Sequence, residues 1–182
     1  MGNSIGSDKG VARPGKILYS FIISNPWLYP FIYAIYSTQG ASIEELRNII
    51  DLRMQLVKRA LWWLVKSGIV EEKGGRFYIR REYMDYVNEL KLSTCILKDT
   101  YILRVKDAHI VVAVRNGRII HWAVPSELYD KVVELEKNTN VVFTSGEVSQ
   151  ALAIDIGTAT KLVKLRRLIK ECWGNPQGIS SD

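Results

Sequence analysis

Arg53, Gln55, Lys58 and Arg59 fall within seven residues of one another. A guanidinium can donate two parallel hydrogen bonds to a guanine edge, a carboxamide can pair with an adenine edge, and an ammonium neutralises phosphate. Lys73, Arg76, Arg80 and Arg81 follow shortly after. Near the end of the chain Lys161, Lys164, Arg167 and Lys170 recur every third residue, preceded by Thr158 and Thr160. From Ser42 to Arg81 nine basic residues oppose five acidic ones, a net +4, and the whole chain of 182 residues carries +6. Such a balance points to a polyanionic partner, or to nothing more than a basic surface, and the placement of the charges must decide.

Other chemistry has little to work with. His109 and His121 are the only histidines and sit in an apolar stretch without a carboxylate or cysteine cluster, so they suit strands better than a metal site. Cys95 and Cys172 belong to no C-x-x-C pair. A disulfide between them is open, and free thiols in a reducing cytoplasm are the expectation. There is no glycine-rich phosphate loop, no nucleophile–base pairing and no carboxylate dyad, so no enzyme, cofactor or metal is expected. Ile17 to Tyr36 is apolar and aromatic, but Ser20, Ser24, Asn25, Pro26 and Pro30 interrupt it, so no membrane span is expected. Its aromatics (Tyr19, Phe21, Trp27, Tyr29, Phe31, Tyr33 and Tyr36) have no bases among them and suit a core or a dimer interface.

Local patterns supply the elements that would position the basic groups. Lys16 to Ser24 reads as a short strand or an irregular lead-in. A helix then starts near Pro30 and runs to about Thr38. Ser42 with Glu45 makes a capping box for the next helix, whose apolar stripe is Ile43, Leu46, Ile49 and Ile50. Asp51 to Arg53 turns the chain. A longer helix from Met54 to Ser67 buries Val57, Leu61, Leu64 and Val65 and stops at Gly68. Gly74-Gly75 joins two short strands. A connecting helix spans Glu82 to Leu92, and strands follow at 95–97, 101–105, 110–114 and 119–124. Asn116-Gly117 predicts a two-residue hairpin in which Arg115 faces Arg118, Val112 faces His121 and Val111 faces Trp122. Both faces of that hairpin are apolar, so the rest of the chain or a second subunit should cover them. Arg115, Asn116 and Arg118 form a basic tip. Helices then run from Ser126 to about Lys137, from Thr144 or Ser145 to Leu152, and from Thr158 to Trp173.

The string from Leu46 to Val70, LRNIIDLRMQLVKRALWWLVKSGIV, resembles the core of winged helix–turn–helix transcription regulators, such as the multiple-antibiotic-resistance and arsenic-resistance repressor families. The matching positions are Leu46, Ile49, Ile50, Leu52, Val57, Leu61, Leu64, Ser67, Gly68, Ile69 and Val70, without a gap. Residues 71–80 fall where that family has its wing. The likeness covers about residues 25–81. A weaker second helix–turn–helix pattern occupies 126–173, with Arg166 where an apolar residue would be usual.

The resemblance implies that the helix starting at Met54 enters the major groove. The expected fold is α+β and mostly helical. It would comprise a disordered arm (1–16), a winged helix–turn–helix (17–81), a connecting helix and β-hairpin element (82–125), a C-terminal helix–turn–helix (126–174) and a disordered tail (175–182). The expected function is binding of double-stranded DNA as a cytoplasmic, homodimeric transcription regulator. DNA would be contacted through Arg53, Gln55, Lys58, Arg59, Lys73, Arg76, Arg80, Thr158, Lys161, Lys164 and Arg167. The alternatives are a winged-helix protein-interaction subunit of a replication or transcription assembly, and a single-stranded nucleic-acid binder. Trp62 and Trp63 suit packing against another element or a dimer surface better than an open groove.

Overall fold

Leu18 and Ile22, one helical turn apart, face inward with Gly15, and this stripe makes residues 14–24 a helix. The computed structural model, which describes residues 13–174, therefore corrects the strand or lead-in expected at Lys16–Ser24 to helix α1 (Pro14–Ser24), with Pro14 in its first turn. The expected N-terminal arm lies outside the described residues up to residue 12, and the expected tail at 175–182 lies wholly outside them. A single 3-10 turn (Pro26–Leu28) leads into α2 (Tyr29–Ser37), which is buried on nearly every side by Tyr29, Phe31, Ile32, Ala34 and Ile35. The aromatic segment is thus core: Tyr19, Phe21, Trp27, Tyr33 and Tyr36 pack around the same cluster, and none of them is exposed.

Strand β1 (Ala41–Ser42) follows Gly40, whose φ of +109° and whose closeness to Tyr78 both require glycine; a Cβ there would lie 2.2 Å from the tyrosine ring. Helix α3 (Ile43–Ile50) has the expected capping box. The Glu45 N–H donates to Ser42 Oγ at 3.3 Å, and the Ser42 N–H donates to Glu45 Oε2 at 2.7 Å. Asp51, in the left-handed region, ends it. Helix α4 (Met54–Lys66) buries Val57, Ala60, Leu61 and Leu64. The stripes are narrower than expected: Ile49 and Val65 are 51% and 40% exposed, since each lies about 100° around its helix from a buried neighbour. Strands β2 (Val70–Lys73) and β3 (Arg76–Ile79) close the unit in a sheet of order β1-β3-β2.

After a 3-10 turn (Arg81–Tyr83) and α5 (Met84–Leu92), four antiparallel strands form a meander: β4 (Cys95–Leu97), β5 (Thr100–Val105), β6 (Ala108–Arg115) and β7 (Arg118–Pro125). Asn116 and Gly117 both have positive φ, and the hairpin has the expected register, with Arg115 opposite Arg118 and Val112 opposite His121. The period of two sorts the sheet between two cores. Leu103, Val105, Ile110, Val112 and Val114 join the cluster built by α1–α5. Ile102, Val111 and Val124 join a second cluster with Tyr129, Val132, Val148, Ala159, Leu162 and Leu165 from the C-terminal helices. The two-faced apolar hairpin that suggested a second subunit is accounted for largely within one chain; β6 is covered on both faces, while the outer strand β7 is only half covered.

Helices α6 (Ser126–Thr139), α7 (Ser145–Leu152) and α8 (Ile156–Trp173) complete the chain. Thr144 and Glu147 repeat the capping box of α3. Asp155 caps α8, which begins two residues earlier than expected. Cys95 on β4 and Cys172 in the last turn of α8 form a disulfide with Cα atoms 6.0 Å apart, which corrects the expectation of free thiols. Of the described residues 59% are helical and 22% lie in strands, so the fold is α+β and mostly helical.

Candidate nucleic-acid interface

On α4 the 3.6-residue period puts Gln55, Lys58, Arg59, Trp62 and Lys66 on the side away from the buried Val57, Ala60, Leu61 and Leu64. Arg53 stands exposed at the N-cap. Among the described residues Arg53, Lys58 and Arg59 enter no ion pair, so their charge is uncompensated locally. The two tryptophans divide. Trp63 packs on the core, whereas Trp62 is 54% exposed, edge-on to Trp63 and covered by the Lys66 ammonium 4.5 Å from its ring centroid.

The bases of the β2–β3 hairpin are placed differently. Lys73 pairs with Glu71 at 2.6 Å and Arg80 with Glu82 at 3.7 Å. Arg76 reaches Glu45 at 3.1 Å and donates to the Gly40 carbonyl at 2.9 Å, tying β3 to the start of α3. Glu45 is held below the usual carboxylate range, first by the Ser42 backbone N–H, then by the Ser42 hydroxyl and by Arg76. Arg76 is therefore occupied by a structural contact, while Lys73 and Arg80, both exposed, form surface pairs of little energetic weight.

The β6–β7 hairpin runs along the flank of α4, which local sequence signals do not reveal. Gly117 at its tip lines a cleft of about 380 Å³ with Arg47, Asn48, Asp51 and Arg53, at the α3–α4 turn. Arg115 and Asn116 line a second of about 490 Å³ with Asp51, Lys98 and Asp99. Further along, Ile119 and His121 share a cleft of about 350 Å³ with Leu56, Arg59 and Trp63. On the opposite face of the sheet Arg115, Ile120 and Trp122 meet Lys164 and Leu168 of α8.

Along α8, Lys161 and Lys164 are exposed and unpaired among the described residues. Arg167 is exposed and pairs with Glu171 at 3.1 Å. Thr158 serves the helix cap, its N–H and hydroxyl both donating to Asp155. Lys170 leaves the basic face and reaches Glu136 at 3.2 Å, beside Arg166 at 2.8 Å. Glu136 on α6 thus explains a charged residue at an apolar position of the pattern.

His109 is the buried titratable group of the sheet. Its Nδ1 lies 3.1 Å from Ser126 Oγ, and its ring centroid is 4.6 Å from that of Tyr129. Burial, then the charge of Arg104, pull its pKa down from 6.5 to about 4, against Asp130, which acts the other way. The unfolded chain therefore binds more protons at this site between about pH 6.5 and pH 4. This contribution to stability is full above that window and is lost as pH falls through it. Thermal melts of the protein and of His109→Gln across the window check this, and parallel pH profiles would exclude it.

Among the described residues no group of three or more His, Cys, Asp or Glu side chains could hold a metal ion, and no helix is long and apolar enough to cross a membrane. No family model, no curated protein and no solved structure matches the chain.

Proposed function

We propose that this protein binds double-stranded DNA as a transcription regulator of winged helix–turn–helix type, with α4 as the helix that enters the major groove. The succession α2, β1, α3, α4, β2, β3 supports it, being the order such a domain requires. The observation that carries it is the exposed face of α4, where Gln55 stands among the unpaired Arg53, Lys58 and Arg59. Arginine and glutamine near the start of that helix suit base edges, and Lys58 suits a phosphate. The wing contributes less than its composition suggests, because Arg76 is held by Glu45 and the Gly40 carbonyl. Helices α7 and α8, joined at Ala153 in the left-handed region, form the second helix–turn–helix of the proposal. The single-strand alternative is disfavoured, because the aromatic segment is built into the core.

Duplex titration at rising salt tests the proposal. The expected result is salt-dependent binding, with Arg53→Ala or Gln55→Ala losing about 1–3 kcal/mol of preference at a single base position. Absence of salt-dependent duplex binding at low ionic strength removes the proposal. A second reading, a protein-interaction subunit, is favoured by Trp62 and Val65, which lie exposed one turn apart on α4. It predicts a flat duplex titration and loss of partner binding in Trp62→Ala.

A further inference from the structure

Fifteen Lys and Arg side chains have no acidic partner among the described residues, and seven of them cluster beside one strand. Arg53, Lys58 and Arg59 lie on α4, Arg115 and Arg118 bracket the β6–β7 turn, and Lys161 and Lys164 lie on α8. α4 belongs to the core on one face of the four-stranded sheet and α8 to the core on the other. Both come to the surface along the same strand. Arg59 lines a cleft with Ile119 and His121, and Lys164 lines one with Ile120 and Arg115. β7 is the outer strand of its sheet, so its free edge carries backbone N–H groups with no partner strand, and no acidic residue interrupts it. Asp51 and Asp99 line the cleft at the tip with Arg115 and Asn116, and neither forms an ion pair with Arg115 or Arg118.

We infer that α4, the β6–β7 hairpin and α8 form one continuous basic surface, and that a single DNA duplex lies across it, with the hairpin tip gripping the backbone beside α4. This rests on the proposed DNA binding and deepens it: the second gripping element is the β6–β7 tip, and α8 contributes to the same footprint. Charge complementarity selects the occupant. Seven uncompensated cations flanking an eight-residue strand match a row of phosphates, whereas the large apolar side chain most exposed on β7 is Ile120 alone.

The test is a salt series of duplex binding, read by fluorescence anisotropy with a labelled random-sequence duplex, on the oxidised full chain. Arg118→Ala and Lys164→Ala remove exposed side chains and should each lower the slope of log affinity against log salt by about one. Lys131→Ala on α6, where Lys131 pairs with Glu127, should leave the slope unchanged. If Arg59→Ala lowers the slope while Arg118→Ala and Lys164→Ala do not, the composite surface is overturned and DNA binding through α4 stands. If the unaltered protein shows no salt-dependent duplex binding, both fall. A single strand that competes as well as the duplex overturns the duplex as occupant.

Discussion

Cys172→Ser is expected to lower the free energy of unfolding by about 4 kcal/mol, the same loss that reduction of the native protein would cause. The Cys95–Cys172 bond joins residues 77 apart in sequence, and a closed loop of that length removes much of the conformational freedom of the unfolded chain. In the folded protein it holds the last turn of α8 against β4, the strand at the opposite edge of the sheet from β7. Both sulfurs belong to half-buried residues packed on the C-terminal core, so serine adds little cost of its own. Urea melts with and without reductant measure the effect. The double variant Cys95→Ser with Cys172→Ser should lose no more than either single one, because each change removes the same bond. Coincident melts, or two titratable thiols in the native unreduced protein, would sink the prediction. Because α8 also carries Lys161 and Lys164, the reduced protein should bind duplex with a shallower salt dependence as well.

What the sequence made legible was local. Ser42 with Glu45 and Asn116-Gly117 act through bonds within a few residues and occur where they were expected, and Thr144 with Glu147 settles which of Thr144 and Ser145 is the cap. The helical periods of α3, α4 and α8 likewise needed only near neighbours. Helix α1 escaped because its buried stripe is narrow, and because Tyr19, Phe21, Ile22 and Ile23 favour strands as readily as helices. The larger gaps are non-local. Nothing near Arg76 in the chain shows that Glu45, thirty-one residues earlier, will hold it. A count of bases therefore merged occupied cations such as Arg76 with uncompensated ones such as Arg59. The approach of Gly117, Ile119 and His121 to α4 was hidden in the same way, since the hairpin was readable but not its neighbour.

Glu136→Ala is expected to cost about 3 kcal/mol of stability, because it leaves a largely buried guanidinium without its counter-charge. Glu136 is 9% exposed and accepts from Arg166 Nε at 2.8 Å and from Lys170 Nζ at 3.2 Å; the Arg166 side chain is 13% exposed. Desolvating these charges is costly, so the pair adds little over an apolar filling of the same volume, but removing one member exposes the whole penalty. Three variants separate these effects. Glu136→Gln keeps an acceptor for Arg166 and loses only the charge, so it should fall between the wild type and Glu136→Ala. Joint replacement, Glu136→Leu with Arg166→Met, should recover most of the loss. Lys131→Ala breaks the exposed Lys131–Glu127 pair on the same helix and should cost about 0.5 kcal/mol or less. Urea melts read all four. A Glu136→Ala midpoint equal to that of Lys131→Ala would mean that water reaches Arg166 and that the α6–α8 contact is held by the apolar cluster around Tyr129, Val132 and Leu162.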